Sequence, residues 1–230
     1  LQVLYGANYD KVNATAVYRW DASGQQFIND VAAPNTGVSA TNKIFTTVWT
    51  EGATATYDFS NFNEDASYDL RPGQWSTFSR SQLADLNRDA PAGTPQYMAQ
   101  GNVYNALLHG GDLRSAVSNV IGGGGNDNIV GNQVDNAITG GAGNDRIDGL
   151  EGVNTAIYSS AARNYALTLY AGNLAYEVQD KFGSDGTDSL SRIQHLEFTD
   201  ETFDATLLNK VAFSNSDSFR PLDALYASYL

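Results

Sequence analysis

Apolar and polar positions change rhythm twice along the chain. Between residues 16 and 75, short aromatic and β-branched runs alternate with Gly, Asn and Asp. These runs are VYRW (17–20), KIFTTVW (43–49), ATYDF (55–59) and SYDL (67–70), the last followed by Pro72 and Gly73. They predict strands joined by tight turns. From residue 122 the rhythm becomes a period of nine, in GGGGNDNIV (122–130), GNQVDNAIT (131–139), GGAGNDRID (140–148) and the weaker GLEGVNT (149–155). Glycine opens each copy, Asp or Asn stands sixth, and Ile129, Ile138 and Ile147 stand eighth. The repeat is then interrupted. YALTLY (165–170) and LAYEV (174–178) flank Ala171, Gly172 and Asn173, a hairpin signal. GSDGTDSL (183–190) returns to the nine-residue pattern, and Ile193, Leu196 and Phe198 continue a strand-like spacing.

Glycine tolerates positive φ, so the first six residues of each copy can turn tightly with carbonyls pointing inward. The last three form a short strand whose one apolar side chain faces a narrow core. Two copies make one turn of a parallel roll with a loop at each edge. Loops 122–127 and 140–145 therefore stack on one edge, and 131–136 and 149–154 on the other. Two stacked loops offer about six oxygens, which suits Ca²⁺ far better than Zn²⁺. On the first edge the candidate ligands are Asp127 and Asp145, with the carbonyls of Gly122, Gly124, Gly140 and Ala142. On the second they are Gly131, Gln133, Asp135, Asn136, Gly149, Glu151 and Asn154. Asn136 and Asn154 bring an oxygen but no charge. Asp135 is displaced by one residue, toward solvent, with Glu151 available to compensate. A carboxylate near a divalent ion contributes on the order of 4 kcal/mol per unit charge at 4 Å, much of it offset by desolvation. The Asp127/Asp145 edge is therefore expected to bind roughly tenfold or more tightly than the other. Asp185 and Asp188 place a further candidate loop after the hairpin. A flexible linker would show no fixed offset between Gly, Asp and Ile. A phosphate-cradling loop is excluded because no Gly-Lys-Ser/Thr follows the glycines.

The remaining segments carry weaker signals. LQVLYGAN (1–8) has helical spacing that stops at Gly6, as the tail of a helix would. SRSQLADLNRD (79–89) predicts a short helix capped by Ser79 or Ser81. Residues 101–110 fit either a helical turn or a first coil of the roll. Residues 112–121 lack the glycines and are expected to cap it. Residues 223–230 are helical in spacing, as either a secretion signal or the first helix of a further module. The fold expected is all-β: a β-sandwich-like part over 1–112, a right-handed parallel β-roll with a hairpin insertion over 113–204, and a tail over 205–230, with short helical segments.

Composition narrows the partners. The chain of 230 residues carries 26 acidic against 13 basic residues, a net charge of −13, which argues against nucleic acid and anionic membranes and favours cations. Cysteine is absent, so a calcium ion would have to serve where a secreted protein otherwise uses disulfides. No run reaches the roughly 18 apolar residues of a membrane span, and no signal peptide opens the chain at Leu1. Export would use a carboxy-terminal signal or a sequence removed upstream.

The nine-residue copies match the RTX nonapeptide GGxGxDxUx. Over residues 1–155 the chain also resembles the carboxy-terminal half of serralysin-type secreted metalloproteases. LYGAN (4–8), KIFTTVW (43–49), YDFSNFNEDASYDLRPGQWSTF (57–78) and GNVYNALLHGGDLRSAVSNVIGGGGND (101–127) carry that resemblance. It implies a secreted bacterial protein, type I export, bound calcium, and a zinc-protease domain ending where this chain begins. The zinc signature HExxHxxGxxH is absent, and His109 and His195 stand alone, so no catalytic residue is expected here. Two departures stand out. Val12–Thr15 and Thr50–Ala55 replace an acidic calcium site of the family, so no calcium is expected there, and Ser118 replaces a usual Glu. The sequon Asn13-Ala14-Thr15 carries no meaning in a bacterial protein. The function implied is a calcium-binding module that folds and stabilises on export. Two alternatives stay open: a non-catalytic piece of an active zinc protease, or a surface or accessory subunit derived from that scaffold. The partner is then an upstream protease domain or another protein subunit.

Overall fold

The computed structural model of the chain describes residues 7–33, 43–87, 89–169, 175–206 and 220–221. Residues 1–6, the tip of the predicted hairpin and the helical spacing at 223–230 lie outside these. The described residues are mostly strand, and their helices are 3-10 turns of three residues. Among the described residues no helix is long and apolar enough to cross a membrane.

In chain order the strands are β1 (Thr15–Trp20), β2 (Gln26–Ile28), β3 (Val31–Ala32), β4 (Thr46–Val48), β5 (Thr54–Asp58), β6 (Ser67–Asp69), β7 (Trp75–Ser76) and β8 (Val103–Asn105). The repeats supply β9 (Val117–Ile121), β10 (Asn128–Asn132), β11 (Ala137–Thr139), β12 (Arg146–Leu150) and β13 (Thr155–Ile157). Then come β14 (Tyr165–Leu169), β15 (Ala175–Asp180), β16 (Thr187–Ser191), β17 (His195–Glu197), β18 (Thr202–Asp204) and β19 (Arg220–Pro221).

Successive repeat strands fall in alternate sheets. The first sheet runs β18-β17-β13-β11-β9-β5-β1-β2-β3, and its six strands from β17 to β1 are mutually parallel. The second runs β19-β14-β15-β16-β12-β10-β6, parallel from β16 to β6 and antiparallel where the hairpin β14–β15 joins. A small third sheet holds β4, β8 and β7. Register places the eighth residue of each copy in one column: Tyr68, Ile129, Ile147 and Leu190 in the second sheet, Tyr57, Val120, Ile138, Ala156 and Leu196 in the first. All are buried. One aliphatic side chain per strand leaves the centre narrow. Aromatic rings pack at its two ends, Trp20, Phe59, Tyr68 and Phe78 in one cluster and Tyr158, Tyr165 and Phe198 in the other.

Three segments differ from the pattern-based expectation. Residues 112–121 do not cap the stack, because β9 lies between β5 and β11. Missing glycines alter the loop that precedes this strand, while Val117 and Val120 still fit a buried ladder. Residues 79–89 form only the turn Arg80–Gln82, and Ser79 makes no side-chain cap. Their backbone bonds go across the loop instead, from Leu86 N to Tyr97 O at 2.7 Å and from Ala99 N to Ala84 O at 2.8 Å. Residues 101–110 hold β8 and then the turn His109–Gly111. The early strands are not confined to a separate layer: β1 and β5 lie in the first sheet and β6 in the second, beneath the repeats.

Candidate metal site

Each loop at the first edge ends on a residue that reaches back to the coil before it. The Asp127 carboxylate accepts from Ala66 N at 2.9 Å, Asp145 from Asp127 N at 2.8 Å, and Asp188 from Asp145 N at 2.9 Å. Loops 122–127, 140–145 and 183–188 therefore stack in that order, above a glycine-free loop at 61–66. The fifth residues run the opposite way. Asp65 accepts from Asn126 N, Asn126 from Asn144 N and Asn144 from Thr187 N, each at 2.8 Å. This outer ladder escaped the reading of the sequence, although Asn at position five of two copies was visible. The glycines are a steric necessity of the stack: a Cβ on Gly122 would lie 2.0 Å from Gly140 O.

The edge concentrates buried negative charge. Asp127, Asp145 and Asp188 are 2%, 2% and 1% exposed. Burial pushes their carboxyls up to about 6, about 7 and about 8, with backbone N–H donors partly offsetting it. Repulsion from Asp127 and Asp185 adds to the shift at Asp145. Asp145 Oδ2 is buried and has no hydrogen-bond partner among the described residues. A buried carboxylate oxygen without a donor is costly unless a cation or proton meets it. Ala142 N donates to Gly123 O at 2.9 Å, and among the described residues no backbone N–H takes the carbonyls of Gly122, Gly124, Gly140 or Ala142. Among the described residues, no three His, Asp or Glu side chains converge on one point. Free carbonyls beside one or two carboxylates form a hard-oxygen donor set that fits calcium in its chemistry and does not fit zinc.

The second edge carries neutral amides at position six. Asn136 Oδ1 accepts from Asn132 N at 2.9 Å while its Nδ2 donates to Ser118 O at 2.9 Å. Asn154 Oδ1 accepts from Asn136 N at 3.0 Å, and its Nδ2 donates to Glu151 O at 3.0 Å and Arg192 O at 3.1 Å. Gln194 continues the ladder by accepting from Asn154 N at 2.7 Å. An amide supplies both donor and acceptor, so each of these side chains is hydrogen-bonded on both its oxygen and its nitrogen. Gln133, Asp135 and Glu151 are exposed, and Asp135 accepts from Val153 N at 2.7 Å, the outer role of position five. Gly131 and Gly149 sit in close contact: a Cβ on Gly131 would lie 2.4 Å from Gly149 O. Asp185 stands apart from both columns. Its oxygens are taken by Ser159 N at 3.0 Å, Ser159 Oγ at 2.8 Å and the Tyr165 hydroxyl at 2.6 Å.

Near the start of the chain, the loops at 11–15 and 50–55 meet through Lys11 N to Glu51 O at 3.0 Å and Thr54 N to Ala14 O at 2.9 Å. Glu51 there pairs with Lys11 at 3.3 Å. His109 lies in the turn His109–Gly111, and His195 lies in β17 opposite Asp204.

The nine-residue repeats thus alternate between two largely parallel sheets, with a buried carboxylate column along one edge. Comparison with known proteins adds a relation. The chain is 32% identical over 138 residues to serralysin of Proteus mirabilis, an alignment covering 60% of this chain. The chain is thus related to serralysin-type proteins, and it spans only 22% of the length of that relative. No protein-family model matches it.

Proposed function

We propose that the chain is the calcium-binding RTX module of a secreted, serralysin-like bacterial protein, folded as a right-handed parallel β-roll. The unpartnered Asp145 oxygen beside buried Asp127 carries this reading. Calcium would be held by Asp127 and Asp145 with the carbonyls of Gly122, Gly124, Gly140 and Ala142. When bound, it supplies positive charge in place of the protons that the buried carboxyls otherwise hold and of the water that burial excludes. The protein's own residues do the rest: glycines let the loops approach, position-six side chains face the gaps, and position-five side chains hold the outer backbone.

The site links folding to location. A ligand bound only by the folded state stabilises it by RT ln(1 + [L]/Kd), about 2.7 kcal/mol at a hundred times Kd. A dissociation constant between cytoplasmic and external calcium leaves the column of carboxylates unfolded in the cell and folded after type I export. The chain itself is proposed to be non-catalytic, stabilising whatever protease domain or other subunit it is joined to.

The test is thermal unfolding with and without calcium for the unmodified protein, Asp127→Asn and Asp135→Asn. Asp127→Asn is expected to lose most of the calcium-dependent rise in Tm. Asp135→Asn keeps it, since that carboxylate is exposed and holds only Val153 N. Equal losses in the two variants would contradict the assignment.

A further inference from the structure

The small third sheet turns one face into the core and carries on the other an aromatic row that calcium binding does not use. In register, Thr47 of β4 and Trp75 of β7 both stand beside Tyr104 of β8, so the three side chains share a face. Phe45 lies on that face too, two residues before Thr47. The alternate residues Val48, Ser76 and Val103 are buried on the opposite face. Phe45 is 52% exposed, Thr47 is exposed, and Trp75 and Tyr104 are half-buried. Neighbouring apolar rings on an exposed strand face mark a surface that meets something.

The rings are fixed in place. Tyr104 lies between the other two, its centroid 5.6 Å from that of Phe45 and 5.9 Å from that of Trp75. Its hydroxyl accepts from Gly101 N at 3.2 Å, which ties the phenol to the backbone three residues earlier. The Trp75 indole covers Gly101, where a Cβ would lie 2.5 Å from Trp75 Cδ1, so only glycine lets it lie against the chain. Free charge is lacking. Residues 43–48, 71–76 and 100–107 include no acidic residue, in a chain with 26. Their two cations are engaged by the protein itself: Lys43 Nζ donates to Ser81 O at 2.6 Å, and Arg71 pairs with Asp69 at 2.5 Å. The polar groups left beside the rings are neutral, Thr47 on the face and Gln74 and Gln100 adjoining Trp75 and Gly101 in the chain.

We propose that this row is a binding platform for a neutral polysaccharide whose equatorially linked sugar rings present flat C–H faces. Such a face stacks on an aromatic ring, and the hydroxyls around it pair with neutral amides and hydroxyls. The size of the face selects the partner. β4, β7 and β8 have two or three residues each, so the platform measures roughly 10 by 15 Å. That is far below the roughly 800 Å² each partner buries in a stable protein complex, which disfavours a second copy of the chain, and it matches one or two sugar rings. A polyanion would meet two cations already engaged and a net charge of −13. Rings held in place before binding lose little freedom on contact, so a small footprint can still hold a ligand.

The test is depletion of the full chain from solution by insoluble cellulose and by chitin, with Phe45→Ala, Trp75→Ala and Phe182→Ala measured alongside. The unmodified protein is expected to be retained by at least one polymer. Its Kd there should rise roughly tenfold in Phe45→Ala and in Trp75→Ala. It should stay unchanged in Phe182→Ala, whose ring is 80% exposed in the turn after β15. Circular dichroism checks folding, and Phe45→Ala, which removes the most exposed ring of the row, decides the matter if Trp75→Ala does not fold. Retention by neither polymer overturns the proposal, as does retention that Phe45→Ala leaves intact or that Phe182→Ala lowers equally. Self-association in sedimentation, or binding of single-stranded DNA, that is lost in Phe45→Ala while neither polymer retains the protein gives the face to another partner and overturns it too. Each outcome bears on this face alone and leaves the calcium reading untouched.

Discussion

Asp145 carries the strongest unmet demand of any side chain along the repeat edge. Its Oδ1 accepts from Asp127 N, and its Oδ2 has no donor among the described residues. Asn154 solves the same backbone problem on the opposite edge with a neutral amide. Asp145→Asn should therefore abolish the calcium response and raise Tm in EDTA by roughly 2–6 °C, by removing a buried unpaired charge. Melting curves in EDTA and calcium check both parts, and a variant still stabilised by calcium would contradict the role given to this carboxylate. Gly141 tests the loop geometry. It has φ +108°, and a Cβ there would lie 2.0 Å from Gly123 O; Gly93 has φ +91° but nothing within 4 Å. Gly141→Ala should cost about 2–4 kcal/mol in denaturant unfolding and Gly93→Ala about 1, since only the first adds collision to strain.

At the scale of an element, the three position-six carboxylates act together. Their folded pKa values are raised by burial to about 6, about 7 and about 8, above the ordinary aspartate value of 3.8. A raised folded value means the folded state holds its protons more tightly than the unfolded one. The stability they contribute is thus fully present below about pH 4 and is lost as pH rises through 6 to 8. In EDTA, Tm should fall across that window, and saturating calcium should flatten the fall because the ion takes the place of the protons. A Tm that rises with pH in EDTA would contradict this. The same column shows what was legible beforehand. Position six and position eight could be read from their period, and so could the hairpin β14–β15 from its flanking strands. Loop 61–66 was not, because it keeps the shape of a repeat loop with Asp65 and Ala66 but no glycine. Nor was the fate of residues 79–89, where helical spacing is overridden by backbone bonds to residues 97–99 and by Asn102, whose Oδ1 accepts from Phe78 N and Ser79 N. Such long-range partners leave no trace in local periodicity.

For the whole molecule, both sheets run without a break from the early strands into the repeats. Thr54–Asp58 pairs with Val117–Ile121, and Ser67–Asp69 with Asn128–Asn132. A fragment starting at residue 113 would bare two long parallel edges and lose the aromatic end of the core. It should fail to fold in millimolar calcium by circular dichroism, whereas the full chain folds; a folded fragment would show that the repeats stand alone. The central claim is that an ion sits on the carboxylate edge. It is tested most directly by crystals grown with calcium or with terbium in its place, and an anomalous difference map. The account predicts a peak between loops 122–127 and 140–145, within ligand distance of an Asp145 carboxylate oxygen. A peak only between loops 131–136 and 149–154, or none at millimolar ion, would contradict it.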